Sequence, residues 1–251
     1  FRGAKQILEW EPDMRSRDPE EFATRNWDAV IVGTGMGGST LGYRLAQAGW
    51  QVLFVEKGHC LPSGEGALKG DFAESFLPAP AAVQERHRPV LERAGRWYEE
   101  LGDGMGNSQQ RFVPFLGCGA GGSSALYGMA MERLHPEAFG SWPFRYDDFM
   151  PYYQAAEELF GVRGTPDPLR PDRQSYRLAK PPEMNPANRA LEAFLRGQGL
   201  HPYRLPMACA YERGTDRCQG FLDAQGAKRD AAAVCLWPAV NECGARVLDG
   251  C

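Results

Sequence analysis

Hydrophobic positions in this chain fall into a few short runs separated by long irregular stretches. The first run, WDAVIVG at 27–33, is almost continuously apolar, rich in β-branched residues, and ends in glycine. That pattern predicts a strand buried on both faces, as in a parallel sheet. From Met36 to Ala48 small residues are followed by Leu41, Leu45 and Ala48 at helical spacing, and Gly49 stands where the helix would stop. QVLFVE at 51–56 predicts a second buried strand. Strand, helix and strand in this order make a βαβ unit, so the expected fold class is α/β, a Rossmann-like domain with a parallel sheet and flanking helices.

Beyond residue 56 the pattern loosens. Ala81–Leu101 carries Val83, His87, Val90, Leu91, Ala94 and Trp97 along one side of a helix that Pro89 interrupts. Residues 111–134 run from a short strand through a glycine cluster into a helix-like tail. Tyr146–Phe160 predicts a helix with Pro151 in an early turn, and the six prolines of 161–186 predict a long excursion. Asn185 or Asn188 can cap a helix ending near Gly197. Residues 206–229 read as loop, Ala231–Cys243 as a helix weakened by Pro238, and ARVL at 245–248 as the opening of a strand. Residues 1–26 are charged and weakly patterned, an N-terminal surface extension.

The glycines of the βαβ unit carry the first chemical signal. Gly33-Thr34-Gly35-Met36-Gly37-Gly38 satisfies G-x-G-x-x-G and lies between a predicted strand and a predicted helix, the context in which the motif binds a dinucleotide. Gly33 makes the tight turn, Gly35 lets backbone approach a pyrophosphate, and Gly38 lets the helix pack close to the strand. The helix N-terminus then offers N–H groups to phosphate. Glu56 ends the second strand about 20 residues on, where a carboxylate accepts from ribose hydroxyls and repels a 2′-phosphate, which argues against NADP.

Composition narrows the field further. The net charge of −4 gives no basic footprint for nucleic acid, and no apolar run approaches the roughly 18 residues of a membrane span. The seven cysteines form no C-x-x-C pair, which favours free buried thiols over a zinc site. FRGAKQILEW has no signal h-region, which favours the cytoplasm. It also lacks an initiator Met, and a removed leader would place the protein in the periplasm or outside the cell.

Two stretches, WDAVIVGTGMGGSTLGYRLAQAGWQVLFVEKG and GCGAGGSSALYGMAMERLHPEAFGSWPFRYDDFMPYY, resemble the N-terminal FAD-binding portion of the glucose–methanol–choline (GMC) oxidoreductases. Gly226-Ala227-Lys228 with Pro238–Val247 is a weaker match. The resemblance implies FAD as cofactor and a small-molecule alcohol or sugar substrate. It implies that Gly33, Thr34, Gly35, Met36, Gly37, Gly38, Glu56 and Lys57 hold the adenosine-diphosphate end. It also implies that Gly121, Gly122, Ser123 and Ser124 lie along the flavin and its pyrophosphate, with Tyr127, Gly128 and Met129 beside the isoalloxazine ring. Tyr127 departs from the family, which usually has Asn there, and attachment of FAD through it is a remote option. The implied organisation is an extension at 1–26, the first part of the FAD domain at 27–135, a cap region at 136–205, and a return segment at 206–251. In that cap region Trp142, Phe144, Tyr152, Tyr153 and Phe160 read as core or as an apolar wall.

The family's catalytic His lies near the end of chains more than twice as long. None of His59, His87, His135 or His201 occupies such a position, so the catalytic residues are expected outside this chain. The sheet is then incomplete without a C-terminal portion, expected as a second polypeptide cut from the same precursor or encoded separately. Three other readings stay open: a two-dinucleotide FAD–NAD(P)H reductase, a flavin-binding subunit without catalysis, and a GMC scaffold with a lyase-like net reaction.

Overall fold

A computed structural model describes residues 15–16, 19–60, 67–71, 85–98, 115–215 and 218–251. In chain order its strands and α-helices are β1 (Arg15–Ser16), α1 (Pro19–Ala23), β2 (Ala29–Val32), α2 (Met36–Gln47), β3 (Val52–Glu56), α3 (Arg88–Arg93), β4 (Arg96–Tyr98), β5 (Phe115–Gly117), α4 (Tyr146–Leu159), α5 (Pro186–Gly197), α6 (Trp237–Cys243) and β6 (Arg246–Asp249). They divide into two units. The first comprises Phe1–Gly128, Thr215–Gly226 and Asp230–Cys251; the second comprises Met129–Gly214 and Ala227–Arg229. The division therefore falls at Gly128, earlier than residue 135, and the return to the first unit is interrupted by Ala227–Arg229.

The first unit is built on a parallel sheet in the order β1-β6-β3-β2. One face carries Ile31, Val52, Phe54 and Val247, which pack with Ala46 of α2 and with Leu236, Ala239 and Val240. Each large side chain buried there contributes about 1.5–3 kcal/mol. Glycine brings α2 down onto this face: a Cβ at Gly42 would stand 2.2 Å from Phe54 Cζ. The opposite face is covered by Phe22 and Trp27, packed with Leu53 and Leu248. Residues 1–26 are thus more than a surface extension, because β1 adds a strand beside β6 and α1 brings Phe22 onto the sheet.

β2 stands at a sheet edge, and on its second face Val30 and Val32 are 56% and 86% exposed. The expectation of burial on both faces therefore holds for β3 and fails for β2, since no element among the described residues of this unit covers that face. Three further elements differ from expectation. Within Ala81–Leu101 the described part is a 3₁₀ turn, the short α3 with Pro89 in its first turn, and β4, which pairs with β5. Residues 81–84 and 99–101 lie outside the described residues. The tail after the second glycine cluster is a single 3₁₀ turn, Gly122–Ala125, followed by irregular chain. Pro238 is accommodated because a π turn at Ala232–Leu236 precedes it, which places proline in the first turn of α6.

The second unit is irregular chain around α4 and α5, tied by isolated bridges such as Ala130 with Met207 and Cys209 with Lys228. Its polar centre is buried. Arg133 donates to both oxygens of Glu157, at 2.6 and 2.7 Å, and Arg170 donates to Asp172 at 2.9 and 3.1 Å. Tyr146 also donates to Asp172, and the Tyr176 ring lies 4.1 Å from the Arg133 guanidinium carbon. Burial pushes the Asp172 carboxyl upward, but hydrogen bonds from Arg170 and Tyr146 outweigh it and hold the group below its ordinary value. Phe160 is core at 2% exposure, whereas Trp142, Phe144 and Tyr152 are exposed. α5 buries no residue and is capped by Asn185, whose side chain accepts from the Asn188 N–H at 2.8 Å.

Candidate nucleotide-binding site

β2 runs into Gly33-Thr34-Gly35, and α2 begins at Met36. The three fingerprint glycines are required for different reasons. Gly33 takes φ 90°, a conformation that disfavours any side chain. A Cβ at Gly38 would stand 2.2 Å from the Gly33 carbonyl oxygen and 3.2 Å from Ile31 Cγ2, the close helix–strand approach expected of the third glycine. Gly35 has φ −69° and ψ −174°, open to every residue, and apart from its chain neighbours no atom of the described residues lies within 4 Å of where its Cβ would be. The protein itself does not demand glycine there, so the free space suits a ligand brought against the backbone. Gly37 faces open space as well. α2 has no side-chain cap and no acidic residue in its first turn, which keeps its positive end suited to an anion. On these observations the residues fit the diphosphate of a dinucleotide.

Glu56 is 5% exposed at the end of β3. Its Oε2 accepts from the Thr34 N–H at 2.9 Å and the Thr34 hydroxyl at 2.8 Å, and its Oε1 accepts from the N–H groups of Gly58 at 2.9 Å and Gly119 at 3.1 Å. All four of these donors belong to the protein, and together they fix the carboxylate at the end of β3.

The second glycine segment packs against the first. Gly119, Gly121 and Gly122 have φ of 91°, 84° and 52°. A Cβ on Gly122 would lie 3.1 Å from the Gly35 Cα, one on Gly58 2.1 Å from the Gly119 N, and one on Gly117 2.2 Å from the Ser123 N. Ser123 is exposed and its hydroxyl accepts from the Gly117 N–H. Ser124 is buried; its hydroxyl donates to the Gly121 carbonyl at 2.7 Å and accepts from the Ala231 N–H at 3.0 Å, so it ties the segment to the start of the closing helix. Burial, with the nearby Glu56 charge, pushes the Cys118 thiol up to about 11 and keeps it neutral.

The predicted site residues therefore fall into groups. Gly33 to Gly38, Glu56 and Gly121 to Ser124 converge at the ends of the parallel strands, where open α/β sheets bind ligands. Thr34 and Ser124 have buried side chains committed to the protein, which leaves their backbones for a ligand. Lys57 is exposed, Met36 and Tyr127 are half-buried, and Gly128 closes the first unit. Met129 opens the second unit and is buried, at 1% exposure and φ 66°. Gly58, Gly117 and Gly119 were not predicted; their signal was glycine density alone.

Parallel strands joined through a glycine turn to a helix, with a buried acid on the next strand, define a Rossmann-like nucleotide-binding unit. A family model described as an NAD(P)-binding Rossmann-like domain matches residues 31–67. The 6'''-hydroxyparomomycin C oxidase of Streptomyces lividus is 31% identical over 86% of this chain and 39% of its own length. The oxygen-dependent choline dehydrogenase of Rhizobium johnstonii is 30% identical over 59% of this chain and 27% of its own length. Among solved structures, pyridoxine 4-oxidase from Mesorbium loti shares the fold over 90% of this chain and 42% of its own, with 23% identity and a TM-score of 0.50. The chain is similar to the N-terminal nucleotide-binding region of glucose–methanol–choline oxidoreductases. It spans about two fifths or less of the curated relatives it matches.

Proposed function

We propose that this chain forms most of the FAD site of an oxidoreductase that oxidises an alcohol or sugar hydroxyl. The observation that carries the reading is the cradle at Gly35: among the described residues nothing fills the place of its Cβ, it lies at the uncapped end of α2, and a second glycine segment packs beside it. Bound FAD would supply the hydride acceptor at flavin N5. The backbone of Gly33 to Gly38 would bind the diphosphate, with Glu56 and Lys57 near the adenosine. Gly121, Gly122, Ser123 and Ser124 would follow the cofactor toward the flavin, and Tyr127, Gly128 and Met129 would continue beside the ring. An alcohol-oxidising role is supported by relatives named as an oxidase and as a choline dehydrogenase.

The base that takes the hydroxyl proton would be a His supplied from outside these residues. The same further polypeptide, continuous with this chain or separate from it, would cover Val30 and Val32 and add to the edge of β2. No helix among the described residues is long and apolar enough to cross a membrane. The test is a spectrum and an intact mass of the purified full-length protein. Flavin absorbance bleached anaerobically by an alcohol and not by NADH is the expected result, and absence of flavin from protein that also fails to bind added FAD refutes the proposal. The intact mass shows whether a second chain accompanies this one.

A further inference from the structure

We propose that Arg133 and Glu157 are a positioning pair for the flavin. They anchor the stretch from which Gly128 and Tyr127 depart, through the left-handed backbone of Met129. The inference rests on the reading above that Tyr127, Gly128 and Met129 run beside the isoalloxazine ring.

Among the described residues Met129 is the one non-glycine residue with positive φ. Side chains rarely take that conformation, and it persists only where the surroundings over-determine it. Gly128, which could adopt it freely, does not, so the turn falls on a residue that bears its cost. From Met129 onward the chain is held along its length. The Met129 carbonyl accepts from the Ala208 N–H at 2.8 Å, and the Met131 N–H donates to the Pro206 carbonyl at 2.9 Å. Arg133 donates to both Glu157 oxygens and to the Ser175 hydroxyl at 2.8 Å, and Glu157 also accepts from the Arg177 N–H at 2.7 Å. Arg170 donates to the carbonyls of Arg133 at 3.0 Å and Leu134 at 2.9 Å. Charge-assisted bonds of this kind are the strong ones. The rotation φ of Met129 joins this anchored stretch to Gly128, so it sets the direction in which Gly128 and Tyr127 leave it. The main-chain bonds to 206–208 hold one end of the stretch, and Arg133 holds the other. With Arg133 freed, the stretch can shift, the turn can relax toward an ordinary φ, and the chain before it swings.

The experiment uses full-length protein freed of flavin and titrated calorimetrically with FAD and with ADP, which lacks the flavin. Visible circular dichroism of the protein reloaded with FAD reports the flavin's surroundings. Glu157→Gln keeps the shape of the side chain and removes its charge. It should weaken FAD by about tenfold or more, leave ADP within about twofold of wild type, and alter the flavin dichroism. Arg133→Lys keeps the positive charge without the two-pronged pairing, and should weaken FAD by about threefold or more with ADP again unchanged. Asn185→Ala perturbs the same unit outside this network and should leave both affinities at the wild-type level. If Glu157→Gln does not fold, Arg133→Lys decides the matter by its own criterion. The proposal is overturned if ADP affinity falls together with FAD affinity, if neither changes, or if Asn185→Ala reproduces the selective loss. Wild-type protein that binds neither FAD nor ADP refutes the flavin reading itself, a result distinct from variants that fail to separate the two ligands.

Discussion

Gly35→Ala and Gly38→Ala add the same methyl group three residues apart, and the structure assigns them opposite consequences. At Gly38 the new Cβ would stand 2.2 Å from the Gly33 carbonyl oxygen, short of ordinary contact by about 1 Å, and the blocking atom is backbone. The helix must lift from the strand, an overpacking cost of about 1–3 kcal/mol. For a chain of this size that lowers Tm by roughly 2–4 °C per kcal/mol. At Gly35 the methyl meets no atom of the described residues beyond its chain neighbours, and the backbone is already in a region every residue adopts. Loss of unfolded-state freedom then leaves the apoprotein unchanged or more stable by about 0.4–1 kcal/mol. The methyl nevertheless occupies the place where a diphosphate would rest, so ADP and FAD affinity should fall at least tenfold, or about 1.4 kcal/mol. Thermal unfolding of the flavin-free full-length protein by circular dichroism, with ADP titration of each variant, separates the two effects. The reasoning is refuted if Gly35→Ala melts with Gly38→Ala, or if it binds ADP like wild type.

Other expectations concern the second unit. Glu157→Ala leaves the buried Arg133 without its bidentate partner and should cost about 3–5 kcal/mol in denaturant unfolding. Asp172 has a depressed folded-state pKa, so its stabilising contribution is complete above the unfolded value of about 3.9 and is lost as pH falls through the folded one. The stability gap between wild type and Asp172→Asn should therefore be constant near neutrality and close on acidification, and a gap independent of pH would refute the assignment. Asn185→Ala removes the cap of α5 and should cost about 1 kcal/mol. Because α5 buries nothing, the loss should appear as faster hydrogen exchange in that helix with little change in global unfolding.

What could be read from the sequence was local. The apolar run at 27–33, the glycines after it and the helical spacing from Met36 specify a βαβ unit within 30 residues, and the structure has it with α2 ending at Gln47 and Gly49 at φ 87°. Asn185 and the strand at 246–249 were legible for the same reason. Features that depend on distant partners were not. β1 is two residues long and pairs with Val247 and Leu248, more than 200 residues away, so it has no periodicity to detect. Arg133 and Glu157 are 24 residues apart, and they, like Arg170 and Asp172, read as solvated charges until the fold buries them. The apolarity of β2 reports a second buried face that nothing described in its unit supplies. Spacing located Glu56 at the correct strand end, but could not show that N–H groups of Gly58 and Gly119 would occupy it.

The contacts of Gly35, Gly58, Gly117, Gly119 and Gly122 make the candidate site almost wholly a surface of main chain. Alanine scanning normally measures function by subtraction, trimming a side chain and recording what is lost. Here alanine is an addition, and most positions that shape the cradle have no side chain to trim. A scan would report the site as steric intolerance at glycines and near-silence around them. Divergence among relatives meets the same asymmetry: side chains elsewhere can change to accept new substrates, while this surface, having no side chains to vary, can be kept or broken but hardly retuned.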